Sequence, residues 1–149
     1  MEFLRFLESL RTPFFTALFS LVTHLGAEMV LMAVGLILFW CVDKKWGFRY
    51  FIIGLTGNVL NQFLKAIFLI PRPWVVDEKF TIVESARAQA GGYSFPSGHT
   101  QSVVSTFGTA MAFAKKRWLN VAGIAAIVLT AFSRMYLGVH TPLDVGVSL

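Results

Sequence analysis

Long apolar runs separated by short charged stretches dominate the chain. Residues 13–42, 48–70, 99–114 and 118–136 are largely apolar. A transmembrane helix needs about 20 such residues to cross a hydrocarbon core roughly 30 Å thick. The pattern therefore predicts an all-α fold, a polytopic bundle of transmembrane helices that forms a single membrane-embedded domain over residues 1–149.

The first run is too long for one straight span. A helix over residues 13–42 would reach roughly 45 Å at about 1.5 Å per residue, which exceeds the thickness of the hydrocarbon core. We expect a break near Thr23–Gly26, so that the first full span covers about residues 27–42. His24 and Glu28 then lie near a membrane surface. We interpret them as a local polar pair that caps the break; contact with a lipid head group, or support for a site, is the alternative.

The remaining runs predict spans over about residues 48–70, 99–114 and 118–136. A fifth apolar segment starts near residue 143 and stops at Leu149, so we expect the last helix to be truncated. Residues 1–11 alternate charged and apolar positions, which favours an interfacial helix. Residues 71–96 are polar and hold several prolines and glycines, and they predict a long loop.

One face of the 48–70 span is polar. Asn58, Asn61, Gln62 and Lys65 recur at intervals of three or four residues. Such groups are costly against lipid, so this stripe is expected to face the protein interior.

Composition supports the membrane assignment. The 149 residues are 56% hydrophobic and only 14% charged, with a mean hydropathy of +0.66, whereas soluble domains are about a quarter charged. The net charge of +5 could indicate a nucleic-acid partner. However, the basic residues cluster in short turns between apolar runs, so the lipid bilayer is the expected partner and nucleic acid is not.

The distribution of lysine and arginine predicts the orientation. Basic residues concentrate in the short turns at 43–50 and 115–117 and are sparser in the longer 71–96 loop. The positive-inside tendency places the short turns in the cytoplasm. The 71–96 loop and the 134–144 segment then share the extracytoplasmic face of what we expect to be a bacterial cell membrane.

Three polar segments converge on that outer face. They are KAIFLIPRP, which begins at Lys65; FPSGH, which ends at His99; and SRMYLGVHTPLDV, which begins at Ser133. Each alone has an ordinary explanation, such as an interfacial anchor or a helix start. Together they bring several cations to one place with few matching acids, which indicates an anion site.

Phosphate is the anion that suits these groups. Arg72 and Arg134 can bind phosphate oxygens in bidentate fashion, and Lys65 adds a point charge. The free N–H groups of Gly98 and His99 at a helix start favour the same ligand.

The spacing of His140 and Asp144 suggests covalent chemistry. If His140 begins the final helix, it shares a face with Asp144 four residues later, so the carboxylate can accept Nδ1–H and leave Nε2 as a nucleophile. His99 can protonate the departing oxygen. We predict a phosphohistidine intermediate that water hydrolyses, with His99 then acting as the base.

The three segments read K-x6-RP, PSGH and SR-x5-H-x3-D, and this combination resembles the type 2 phosphatidic acid phosphatase superfamily, which also includes vanadium haloperoxidases. The resemblance implies a helical bundle and a phosphatase site without metal or other cofactor. It assigns His140 as nucleophile, Asp144 as its orienting partner and His99 as general acid. It assigns phosphate binding to Lys65, Arg72, Ser97, Gly98 and Arg134.

The leading hypothesis is an integral-membrane phosphatase acting on a lipid: a polyprenyl diphosphate, phosphatidylglycerol phosphate or phosphatidate. One alternative is a vanadate-dependent haloperoxidase, and another is a non-catalytic protein that binds a phospholipid. A metallohydrolase using His99, His140 and Asp144 is a third, opposed by the nearby cations. The sequence does not choose between the lipids, between mono- and diphosphate, or between oligomeric states.

Overall fold

The computed structural model describes all residues, 1–149, and contains helices without any strand. The helices are α1 (Glu2–Ser9), α2 (Pro13–Val22), α3 (Glu28–Ile37), α4 (Lys44–Phe68), α5 (Pro73–Val76), α6 (Glu84–Arg87), α7 (Gly98–Ala114), α8 (Arg117–Tyr136) and α9 (Pro142–Gly146). A 3-10 turn, Thr23–Gly26, joins α2 to α3, and a π-helical turn, Leu38–Val42, extends α3. The prediction of an all-α fold is confirmed.

The predicted break in the first apolar run lies where it was expected. The segments Pro13–Gly26 and Glu28–Val42 bend by 49° relative to each other. Gly26 packs so tightly that a Cβ atom there would lie 2.4 Å from the carbonyl oxygen of His99. The missing side chain thus lets the bend lie directly against the start of α7.

Helix α4 begins earlier than predicted. The side chain of Asp43 accepts a hydrogen bond of 3.0 Å from the Trp46 N–H, which satisfies one of the free donors at the helix start. The charged stretch that was expected to form a turn before residue 48 is therefore helical from Lys44 onward. The helix ends at Phe68, where Leu69 takes a left-handed conformation with φ of 49°.

Helix α7 lies at the centre of the bundle, where it packs against both α4 and α8. Its buried face carries hydroxyl groups, and Thr106 hydrogen-bonds Tyr50 of α4 at 2.9 Å. The neighbouring α2 packs on α8, and α3 packs on α4 and α7. This arrangement brings the C-terminal ends of α4 and α8 to the same end of the bundle as the N-termini of α7 and α9.

The surface of the bundle is strongly apolar. Large hydrophobic side chains stand exposed on α3, α4 and α8; Met29, for example, is 80% exposed. The helical stretches Lys44–Val76 and Arg117–Tyr136 are long and apolar enough to cross a membrane, and the bent pair Pro13–Gly26 and Glu28–Val42 would make a third span. Exposed apolar surface on this scale marks an integral membrane protein.

Helix α7 has 17 residues, which corresponds to roughly 25 Å. It therefore falls short of a full span on length, and the crossing predicted for residues 99–114 stays a prediction.

The segment predicted as a loop, residues 71–96, contains the short helices α5 and α6 and is fixed to the bundle. Its Val83 N–H donates to the Leu137 carbonyl at 3.1 Å. Arg11, just after α1, donates to the carbonyls of Tyr136 at 3.0 Å and Thr81 at 2.8 Å. The end of α1 is thus fixed to the 71–96 segment, while the predicted position of α1 at the membrane interface stays a prediction.

Candidate active site

A cavity of about 330 Å³ opens between α4, the start of α7 and the turn that joins α8 to α9. Five of the predicted site residues line it, namely Lys65, Arg72, Gly98, His99 and His140. The two histidines come from segments far apart in sequence, and the fold places them around one cavity; their catalytic roles stay predictions. Gln62 of the polar stripe lines the same cavity.

Arg72 is buried and touches the ring of His140. Its Nη1 donates to His140 Nε2 at 3.0 Å and to the Val139 carbonyl at 2.9 Å. Its Nε and Nη2 donate to the carbonyls of Gly92 and Gly91, at 3.1 and 2.8 Å. A guanidinium has no acceptor, so Nε2 of His140 must carry the lone pair and Nδ1 the proton. This is the tautomer that a nucleophilic Nε2 requires.

Asp144 lies on the other side of the His140 ring. Its Oδ2 is 3.5 Å from Nδ1, which is longer than an ordinary hydrogen bond. The same oxygen accepts hydrogen bonds from Ser94 Oγ at 2.5 Å and from the Thr141 N–H at 2.7 Å. The sequence predicted a hydrogen bond from Nδ1–H to this carboxylate. In the structure the carboxylate lies next to Nδ1, but its hydrogen bonds come from Ser94 and Thr141.

Burial shapes the chemistry of His140, which is 1% exposed. Loss of solvation lowers the pKa of its imidazole well below the usual range; the Asp144 carboxylate opposes this shift, while the charges of Arg134 and Arg72 add to it. The neutral ring, which carries the nucleophilic lone pair, is thus the favoured form in the ligand-free site.

Arg134 lies fully buried, at 0% exposure. Its Nη1 donates to Thr23 Oγ1 at 2.8 Å, whereas Nε and Nη2 have no partner in the protein. Buried donors without acceptors are rare and costly. Arg134 is not among the residues that line the cavity, so its predicted contact with phosphate stays a prediction; a phosphate oxygen that reached these two nitrogens would satisfy them.

Lys65 has a second task that the sequence did not indicate. Its Nζ donates to the backbone carbonyls of Pro96 at 2.7 Å and Tyr93 at 2.9 Å. The lysine therefore fastens the segment before α7 while its charge faces the cavity.

The start of α7 is organised by Ser97. Its Oγ accepts hydrogen bonds from the Oγ1 and N–H groups of Thr100, at 2.9 and 3.4 Å, so Ser97 is the N-cap of the helix. Its own N–H donates to the Asp144 carbonyl at 3.0 Å, and its side chain does not line the cavity. The N–H groups of Gly98 and His99 belong to the first helical turn, where they have no acceptor within the helix.

Several residues around the site were not found from the sequence. Ser94 binds Asp144, and Gln89 and Gly91 line the cavity. The residues of the 71–96 segment follow no helical or strand period, so no pattern singled them out. The capping box of Thr141 and Asp144 was readable, since a hydroxyl residue followed three positions later by an acid is its signature.

Comparison with known sequences identifies the family of this chain. Residues 46–149 match the family model of the PAP2 superfamily. Undecaprenyl-diphosphatase of Sulfolobus acidocaldarius is 32% identical, over 80% of this chain and 57% of the relative. Undecaprenyl-diphosphatase BcrC of Bacillus subtilis is 35% identical, over 63% and 46%. The chain thus spans about half the length of these two relatives.

A third relative is covered more fully. Phosphatidylglycerophosphatase B of Bacillus subtilis is 30% identical, and the alignment covers 91% of this chain and 69% of the relative.

Solved structures share the fold. The crystal structure of Aquifex aeolicus LpxE matches with a TM-score of 0.80 and 27% identity, over 99% of this chain and 86% of that one. A transmembrane PAP2 type phosphatidylglycerolphosphate phosphatase from Bacillus subtilis matches with a TM-score of 0.78 and 24% identity, over 95% and 73%. The family match covers most of the chain and includes all three motifs, and the chain therefore belongs to the PAP2 superfamily.

Proposed function

We propose that this protein is a metal-independent phosphatase that removes phosphate from a membrane lipid through a phosphohistidine intermediate. The observation that carries the proposal is the state of His140. Its Nε2 accepts a hydrogen bond from Arg72, so it holds a lone pair, and its ring lines the same cavity as His99.

In the first step, Nε2 of His140 attacks the phosphorus atom. A P–N bond forms, the P–O bond to the lipid breaks, and His99 gives a proton to the departing oxygen. Arg72, Arg134 and the first N–H groups of α7 would stabilise the equatorial oxygens. The Arg72 guanidinium must exchange its bond to Nε2 for a bond to phosphate when substrate binds.

In the second step, water attacks the phosphohistidine. His99 takes a proton from that water, the P–N bond breaks, and the electron pair returns to Nε2. Throughout the cycle Asp144 stays beside the Nδ1–H group, where its charge stabilises the positive ring of the intermediate. Ser94 and the Thr141 N–H hold the carboxylate in place.

The substrate class follows from the surroundings of the cavity. Its polar lining suits a phosphorylated head group, and the exposed apolar helices beside it suit a lipid tail. Polyprenyl diphosphate, phosphatidylglycerol phosphate and phosphatidate are the candidates, and two relatives carry names that include diphosphatase and phosphatidylglycerophosphatase.

We also propose that the cavity faces the extracytoplasmic side of a bacterial cell membrane. The basic residues at the start of α4 and between α7 and α8 lie at the end of the bundle opposite to His140. Cytoplasmic loops carry such an excess of lysine and arginine, which supports this orientation.

Phosphate release by the full chain in detergent tests the proposal. We expect release from at least one of the three lipids in the presence of EDTA, and none from the His140→Ala variant. Quenching in alkaline detergent, with a lipid labelled in its terminal phosphate, should trap a phosphoprotein in the wild type alone, and this label should be stable in base and lost in acid. If no lipid is hydrolysed, or if His140→Ala equals the wild type, the proposal is wrong.

The same preparation separates the alternatives. Halide oxidation after addition of vanadate and peroxide would favour a haloperoxidase. Loss of activity in EDTA would favour a metallohydrolase. Binding of the lipids without turnover would favour a non-catalytic protein.

A further inference from the structure

The proposed general acid, His99, is held by a chain of hydrogen bonds outside the three motifs. Its Nε2 lies 3.1 Å from Gln89 Oε1, and Gln89 Nε2 lies 3.3 Å from His24 Nε2. Nδ1 of His24 lies 2.7 Å from the Ser20 carbonyl oxygen. The chain thus runs from the helix break after α2, through the segment after α6, to the start of α7.

The first link fixes the direction of every other link. A carbonyl oxygen only accepts, so Nδ1 of His24 donates to Ser20. In a neutral His24 the lone pair is then on Nε2, which accepts from the amide nitrogen of Gln89. The Gln89 oxygen consequently points toward His99, and Nε2 of His99 is the donor.

The other ring nitrogen of His99, Nδ1, is available for proton transfer. Nδ1 makes no hydrogen bond within the protein, and it is not fully enclosed by protein atoms. The ring lines the cavity. With Nε2–H committed to Gln89, a neutral His99 presents the lone pair of Nδ1. Gln89 thus fixes Nε2 of His99, and Nδ1 is the nitrogen that can exchange a proton with a ligand.

We propose that Gln89, with its amide oriented by His24, is a positioning residue that makes Nδ1 the proton-transferring atom of His99. The inference rests on the proposed phosphatase function. In the first step the His99 imidazolium gives its Nδ1 proton to the departing oxygen and keeps the Nε2 proton on the Gln89 carbonyl. In the second step Nδ1 takes a proton from water.

The carbonyl of Gln89 also stabilises the charged form. Lys65 and Arg72 line the same cavity as His99, so an imidazolium there faces like charges. A neutral acceptor on Nε2–H offsets part of that cost without placing a negative charge against the phosphate.

Two substrates with different leaving groups test this role. A lipid monophosphate expels an alkoxide and needs the acid, whereas p-nitrophenyl phosphate expels a stable phenolate and needs it little. The measured quantity is the ratio of kcat/KM for the lipid to kcat/KM for p-nitrophenyl phosphate. Because kcat/KM reports only the steps up to phosphoenzyme formation, the later hydrolysis does not enter.

We expect Gln89→Leu to lower this ratio at least about tenfold, a fraction of the roughly 10²–10⁴-fold that general acid catalysis contributes. Gln89→Glu, whose carboxylate still accepts from Nε2–H, should restore the ratio to within about threefold of the wild type. Arg87→Gln is the matched control, because Arg87 lies on nearby α6, is exposed and contacts only Glu84; its ratio should not change.

A second pair of variants tests the hydrogen bond between His24 and Gln89. His24→Gln can still accept from the Gln89 amide and should keep the ratio, whereas His24→Leu should lower it. These variants also decide the question if Gln89→Leu fails to fold. An equal loss with both substrates, or Gln89→Glu behaving like Gln89→Leu, would overturn the inference. Activity retained by His140→Ala would instead refute the phosphatase mechanism itself.

Discussion

Arg72 Nη1 lies 3.0 Å from His140 Nε2, so the proposed nucleophile and a proposed phosphate ligand are in direct contact. A phosphate bound to this guanidinium is necessarily adjacent to the attacking nitrogen. Proximity of this kind raises the reaction rate because binding has already restricted the translation and rotation of the reacting groups.

Arg72→Lys should therefore damage both binding and catalysis. A lysine cannot reproduce the fork that reaches His140, Val139 and the carbonyls of Gly91 and Gly92. Hydrogen bonds to charged groups are worth about 1.5–3 kcal/mol, so kcat/KM for the preferred lipid should fall roughly 10- to 100-fold. A value within threefold of the wild type contradicts the assigned role.

Arg134→Met separates anion binding from folding. The guanidinium is buried with two unpaired nitrogens, and replacing a buried charge by an apolar side chain is often neutral or stabilising. We expect the thermal midpoint without ligand not to fall, while the inhibition constant for orthovanadate rises at least about tenfold. Unchanged inhibition would remove Arg134 from the phosphate site.

The pH dependence should reflect the buried ring of His140. Burial lowers its pKa below the usual value, which is about 6.5, and the reactive neutral form is present above the pKa. The nucleophilic, neutral form of His140 is thus lost only as the pH falls through that lowered pKa. NMR titration of the imidazole in the ligand-free protein measures it without interference from substrate ionisation, and a midpoint at or above the usual value would contradict this expectation.

Ser94→Ala should weaken the support of Asp144. The mutation removes the 2.5 Å hydrogen bond to Oδ2 and leaves the carboxylate with the Thr141 N–H. We expect unfolding free energy to drop by about 1–3 kcal/mol, together with a lower kcat and little change in KM. Ser148→Ala is the control, because Ser148 Oγ binds only the Asp144 backbone carbonyl.

Gly26→Ala should disrupt the packing of the helix break against α7. The new Cβ would lie 2.4 Å from the His99 backbone oxygen, and rigid backbone cannot move aside as a side chain can. Gly108→Ala is the matched control in α7, since its Cβ would meet nothing within 4 Å and alanine favours helix. Thermal unfolding should show a lower midpoint for the first variant and an equal or higher midpoint for the second.

The sequence predicted the parts that repeat or carry fixed spacings. The apolar runs predicted the helices, and the excess length of residues 13–42 predicted the break. Of the eight predicted site residues, five line the cavity, whereas Ser97, Arg134 and Asp144 do not. Hydrogen bonds between distant segments follow no regular spacing of residues in the sequence. Ser94 and Gln89 could not be identified for that reason, and the close packing that makes Gly26 indispensable became visible only with α7 in place.

Lys65 and Arg72 bind backbone carbonyls of residues 91–96, not side chains. A carbonyl is supplied by any amino acid, so these contacts constrain the path of the main chain and not the side chains, apart from Ser94, which binds Asp144, and Gly92, whose φ is 64°. A substitution at the exposed Tyr93 should therefore leave in place the backbone carbonyl that Lys65 binds.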